Sequence, residues 1–272
     1  MPILNGLYYS LYEGGPRDEV PVILLHGAGG SSLSWPAEMR RLAGWRVIAL
    51  DLPGHGRSAG VAQQTIGGYA RCVQEFITEM GLSRVILVGH SMGGAIALSV
   101  ALDFPQLVAA LGLVSSGAYL GVPNDFLDAV SSPLTLPVAY QLLQKYAFSS
   151  RTDAQRVDEC LRGLKDVRPG VLYGDWLACS SFDLRAEVEQ IAVPAWVSVG
   201  MEDQMTPVSF SHFLATRLPL AQLQLVPDAG HMLIQEQPQA AAAGLSAFLR
   251  EIQPGLQSLR WSRPLQQTAV QQ

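Results

Sequence analysis

Long apolar runs are missing from this 272-residue chain. No uncharged stretch reaches the roughly 20 residues that cross a bilayer, so no membrane span and no membrane partner is expected. The opening residues, MPILNGLYYSLYEGG, lack a basic start and an apolar core, and no signal peptide is expected. Basic residues are sparse. Lys and Arg number 18 against 23 Asp and Glu, the net charge is −5, and no Lys/Arg block occurs, which argues against nucleic acid. Cysteine is scarce too. Cys72, Cys160 and Cys179 are odd in number, far apart and in no metal-ligating spacing. They read as reduced thiols in a cytoplasmic protein. With only five histidines and no cluster of His, Cys and Asp, neither a metal nor an organic cofactor is expected. No feature sets an oligomeric state.

Hydrophobic residues are abundant at 49%, with 15% charged, so a large core can be buried. Short apolar segments at 20–27 (VPVILLHG), 45–51, 84–89, 107–116, 192–200 and 221–230 read as strands. Several are apolar on consecutive positions, the pattern of strands covered on both faces of a parallel sheet. Residues 6–15 alternate instead and suggest an edge strand. Helices are expected at 33–43, 66–80, 92–103, 207–218 and 238–252. Strand and helix in alternation give an α/β fold with crossover helices, whose ligands sit at the carboxyl ends of the strands. Residues 119–190 break this rhythm with prolines and helix-like pieces, and read as a helical insertion. The division expected is 1–118 and 191–254 for the core, 119–190 for the insertion and 255–272 for a glutamine-rich tail.

The segment RVILVGHSMGGAIAL (84–98) carries the chemistry. An apolar strand ends at Gly89, and a helix of small residues starts just after Ser91. A turn that tight leaves no room for bulky neighbours and pushes the Ser91 hydroxyl out of the sheet. Serine needs a base, and the base needs an orienting acid. His26 and His55 lie in early glycine-rich loops, His90 diverges from its neighbour on the turn, and His212 falls within a helix. His231, just beyond the last strand, reaches the same sheet edge as Ser91 and is the candidate base. Asp203, three residues after Gly200, is the candidate acid. Glu202 points the other way in an extended loop, and Asp228 reads as a turn residue. The N–H of Met92 at the helix start and that of Ala28 in LLHGAGGSS are the candidate oxyanion donors, with Gly29 the nearby alternative. Gly29, Trp35, Tyr119 and Trp176 are candidate pocket residues.

The motifs HGAGG, DLPGHGRS, GHSMGG, GMEDQMTP and AGHML, in that order, resemble the α/β-hydrolase superfamily across all but the insertion and the tail. The resemblance implies a mostly parallel eight-stranded sheet with the insertion as a lid. It implies Ser91 as nucleophile, Asp203 as acid and His231 as base. It also implies structural roles for Asp51 and His55. Haloalkane dehalogenases and epoxide hydrolases carry aspartate where Ser91 stands. GHSMGG looks most like small carboxylesterases, enol-lactonases and haloperoxidase-like hydrolases. The expected activity is acyl-enzyme hydrolysis of a small-molecule ester or lactone. A carbon–carbon bond hydrolase with the same residues and a non-catalytic small-molecule receptor are the alternatives.

Overall fold

A computed structural model describes residues 2–257. Eight strands form one sheet: β1 (Ile3–Leu4), β2 (Leu7–Glu13), β3 (Val22–Leu25), β4 (Arg46–Leu50), β5 (Val85–His90), β6 (Val108–Val114), β7 (Ala195–Gly200) and β8 (Ala221–Val226). Their order is β1-β2-β4-β3-β5-β6-β7-β8. β2 runs antiparallel to both neighbours, and every other pairing is parallel. The eight-stranded, mostly parallel α/β sheet is the expected one. Its central strands β3, β5 and β6 are buried at every position, so consecutive apolar residues, not alternating ones, face helices on both sides.

The helices are α1 (Ala37–Arg40), α2 (Ile66–Glu79), α3 (Met92–Asp103), α4 (Asn124–Val130), α5 (Leu136–Tyr146), α6 (Ala154–Lys165), α7 (Pro169–Ser180), α8 (Val208–Arg217), α9 (Leu233–Glu236) and α10 (Pro238–Gln257). One face of the sheet packs against α2, α3 and α8 through Phe76, Ile96 and Leu214. The other packs against α1 and α10 through Met39, Leu245 and Phe248. α3 is buried from Met92 to Ala101, which is why its sequence is small and apolar all round. α4 to α7, inserted between β6 and β7, close over the sheet edge with their own apolar core, including Phe126, Leu143 and Leu172.

Several sequence expectations are corrected. The helix expected at 33–43 is a 3-10 turn at Ser32–Ser34 followed by the four-residue α1, because Pro36 interrupts it. β2 is not the outermost strand, since the two-residue β1 pairs with Leu7 and Tyr8 at the start of its outer side. The last part of 119–190 packs away from the insertion: Phe182 and Val188 join the main core. Residues 255–257 of the expected tail continue α10, and 258–272 lie outside the described residues. Among the described residues no helix is long and apolar enough to cross a membrane.

Candidate active site

The turn from β5 to α3 places Ser91 at φ 53° and ψ −117°, a strained backbone for a residue with a Cβ. The crowding around it explains the flanking glycines. A Cβ on Gly93 would fall 2.1 Å from the Leu25 carbonyl oxygen, and one on Gly89 would fall 2.1 Å from that of Gly93. The Ser91 N–H donates to the Val114 carbonyl at 2.9 Å, which ties the turn to β6.

Three strand ends meet there. Ser91 Oγ lies 2.9 Å from His231 Nε2. His231 Nδ1 lies 3.0 and 3.2 Å from the two Asp203 oxygens. His231 and Asp203 are both buried. Asp203 also accepts from the Met205 and Thr206 N–H groups and from the Thr206 hydroxyl. Burial works to raise its pKa, but His231 and these donors outweigh burial and hold the carboxyl below its ordinary value. Glu202 and Asp228 serve elsewhere: Glu202 accepts from Ser150, and Asp228 pairs with Arg151.

Met92 opens α3, so its N–H has no acceptor within the helix. Ala28 and Gly29 follow β3 and line, with Ser91 and His231, a cavity of about 860 Å³. Its lid side is mixed: Leu143, Phe148, Leu164, Val167 and Trp176 are apolar, and Glu159, Asp166 and Arg168 also line it. Trp176 packs edge-on against Phe126, with ring centroids 4.4 Å apart. Two candidate pocket residues are placed elsewhere. Trp35 is wholly buried in the core with Leu24 and Met39 and does not line the cavity. Tyr119 bridges to Asp183, tilts its ring against Phe210 with centroids 5.9 Å apart and carries the Arg185 guanidinium over its face, outside the cavity lining.

Four polar residues of the site lay beyond the sequence argument. His90 does turn away from the Ser91 hydroxyl, but its Nε2–H donates to the His231 carbonyl at 2.9 Å. Burial, then the neighbouring His231, pushes the His90 pKa down to about 4, so it stays a neutral donor. Thr206 follows Asp203 so closely that the segment DQMTP held its signal. Glu236 accepts from the N–H groups of Ser149 and Gly230 and from the Thr152 hydroxyl, tying the lid to the loop that carries His231. Asp175 of α7, fully buried, reaches the Gly29 N–H at 2.8 Å. Nothing in its local sequence marks it. Asp51 accepts from the Ser32 and Arg57 N–H groups, joining the loops after β3 and β4.

Fold and geometry agree with the comparisons. The chain belongs to the alpha/beta hydrolase fold family, whose sequence model matches residues 20–238. It is 31% identical over 264 residues to the putative carbamate hydrolase RutD of Caulobacter sp. (strain K31), covering 90% of this chain and 96% of that protein. It is 32% identical over 267 residues to the dihydrolipoyllysine-residue acetyltransferase component of the acetoin cleaving system of Pseudomonas putida, covering 91% and 68%. Among solved structures, a thermophilic esterase superposes with a TM-score of 0.78 at 28% identity, covering 92% of this chain and 96% of that one.

Proposed function

We propose that this chain is a serine hydrolase of small carboxylic esters, with Ser91 as nucleophile, His231 as general base and Asp203 as its orienting acid. The observation that carries this reading is the unbroken file from Ser91 Oγ through the His231 ring to Asp203, opening onto a mostly apolar cavity. As Ser91 Oγ attacks the ester carbonyl, its proton passes to His231 Nε2, and Asp203 stabilises the imidazolium. The Met92 and Ala28 N–H groups receive the oxyanion. Collapse of the intermediate breaks the bond to the alcohol, which leaves with the proton from Nε2. A water then gives a proton to His231 and attacks the acyl-enzyme. The acid departs as the Ser91 hydroxyl regains that proton. The apolar part of the lid wall, Leu143, Phe148, Leu164, Val167 and Trp176, suits an uncharged acyl or alcohol group, and the cavity has the size of a small-molecule site.

A carbamate or lactone carbonyl would meet the same atoms, and likeness to the putative carbamate hydrolase favours the carbamate as second reading. The test is turnover of p-nitrophenyl acetate and butyrate beside a carbamate and a lactone series, with labelling by a fluorophosphonate. Ser91→Ala is expected to lower kcat/KM by about 10⁴-fold or more and to abolish labelling. Retained turnover, or a label on another residue, overturns the assignment. Binding without repeated turnover assigns a small-molecule receptor instead.

A further inference from the structure

Asp175 joins the lid to three segments of the main body. Its Oδ2 accepts from the Gly29 N–H at 2.8 Å and from His55 Nε2 at 2.7 Å, and its Oδ1 accepts from the Tyr69 hydroxyl. These donors come from the loop after β3, the loop after β4 and helix α2. His55 Nδ1 faces the Pro53 carbonyl at 3.0 Å, so both ring nitrogens meet acceptors and the ring carries two protons. Burial alone would lower the His55 pKa; the Asp175 carboxylate and the Pro53 carbonyl reverse this and raise it. With both nitrogens engaged as donors, His55 has no lone pair to act as a base. The neighbouring His26 lies 4.8 Å away, ring to ring, and accepts the Leu52 N–H on Nε2, so it is the neutral partner.

An ion pair is a costly way to fill a buried space, since apolar side chains of similar volume stabilise as well or better. Its position suggests another use. Gly29 has φ +66°, and a Cβ there would press within 2.8 Å of Leu164 and Leu172. The lid therefore holds this peptide from two sides, by apolar contact and by a carboxylate on its N–H. The neighbouring residue is Ala28, whose N–H is the proposed oxyanion donor.

We propose that Asp175 is a positioning residue: from the lid it fixes the Ala28–Gly29 peptide and so restricts the Ala28 backbone, which keeps the N–H of the preceding Gly27–Ala28 peptide aimed at the oxyanion only when the lid is seated. This rests on the reading of Ala28 given above. The oxyanion interaction strengthens in the transition state, so losing its alignment lowers kcat and spares KM.

The experiment compares wild type, Asp175→Ala, Asp175→Glu and Asp175→Asn for kcat, KM and inhibition by a trifluoromethyl ketone, which forms a tetrahedral adduct with the serine. Asp175→Ala is expected to lose about 30-fold or more in kcat, with KM within about 3-fold and ketone inhibition weakened in step. Asp175→Asn, whose amide oxygen still accepts from Gly29, restores most of kcat. If Asp175→Ala does not fold, Asp175→Glu carries the same expectation, because it keeps the charge but displaces it by one methylene. A folded Ala or Glu variant with unchanged kcat, or with a loss confined to KM, overturns the proposal. Wild-type protein with neither turnover nor Ser91 labelling overturns the esterase reading and this inference with it, a result distinct from an active wild type beside an equally active variant.

Discussion

At the scale of single residues, Asp203 owes its charge to neighbours that outweigh burial, and Thr206 supplies two of them. The Thr206 hydroxyl donates to Asp203 Oδ2 and sits 3.2 Å from His231 Nδ1, so it braces both partners at once. Thr206→Val keeps the shape and the backbone N–H but removes that brace. On the proposed mechanism we expect kcat to fall by about 10-fold with KM nearly unchanged, read from steady-state kinetics on a p-nitrophenyl ester. A rise in KM alone would mean that Thr206 shapes the pocket instead. The meeting of Ser91, Asp203 and His231 on one sheet edge was legible in the sequence because each follows an apolar strand and a turn signal. His90, Asp175 and Glu236 were not legible. Their partners lie 141, 146 and 87 positions away along the chain, and no local pattern marks such a pairing.

Among the elements, legibility follows burial. α3 agrees with its expected range, because a buried crossover helix bounded by the Ser91 turn leaves little freedom at its ends. The helix expected at 33–43 shrinks to the four-residue α1, because Pro36 breaks it after the turn at Ser32–Ser34. The resemblance implied a lid over the site, but the contacts of its individual helices were not legible, since their packing depends on α9 and on the loops after β3 and β4. Glu236 of α9 makes this explicit. It holds the Ser149 N–H at 2.8 Å and the Gly230 N–H at 3.0 Å, joining the lid to the His231 loop. Glu236→Ala leaves those donors without their acceptor, at a cost of about 1–3 kcal/mol. The expected outcome is faster hydrogen exchange and easier proteolysis at residues 147–153, with β5 and α3 unaffected. Unchanged exchange there would show that the other contacts of this segment, among them the Met232 N–H to Ala147 carbonyl bond at 3.0 Å and the Glu202 bonds to Ser150, suffice to hold it.

For the whole molecule, three buried histidines set how stability depends on pH. Burial, and next His55, pushes the His26 pKa down to about 3; His90 is pushed to about 4. Below the ordinary value of 6.5 the unfolded chain takes up protons that the folded chain refuses. Each site then removes about 1.4 kcal/mol per pH unit until its folded pKa is reached. His55 has the opposite sign. Its raised pKa contributes stability that is complete below 6.5 and lost as pH rises through the folded value. Glu236, raised by burial, offsets part of the acid loss near its ordinary 4.5. Urea unfolding from pH 4.5 to 9 is therefore expected to give a maximum near neutrality, with the steeper fall on the acid side. A midpoint that keeps rising from pH 5 to 9 would contradict the charged state of His55. The insertion point of the lid has a consequence for evolution and for engineering. Because α4 to α7 enter between β6 and β7 without interrupting any strand pairing, the chain could exchange this segment wholesale and keep its sheet. Two sockets restrict the exchange: the Gly29 N–H with the His55 ring, and the Glu236 carboxylate. A transplanted cap that brings no acid for the first and no donors for the second would be tethered to the body without being in register with it.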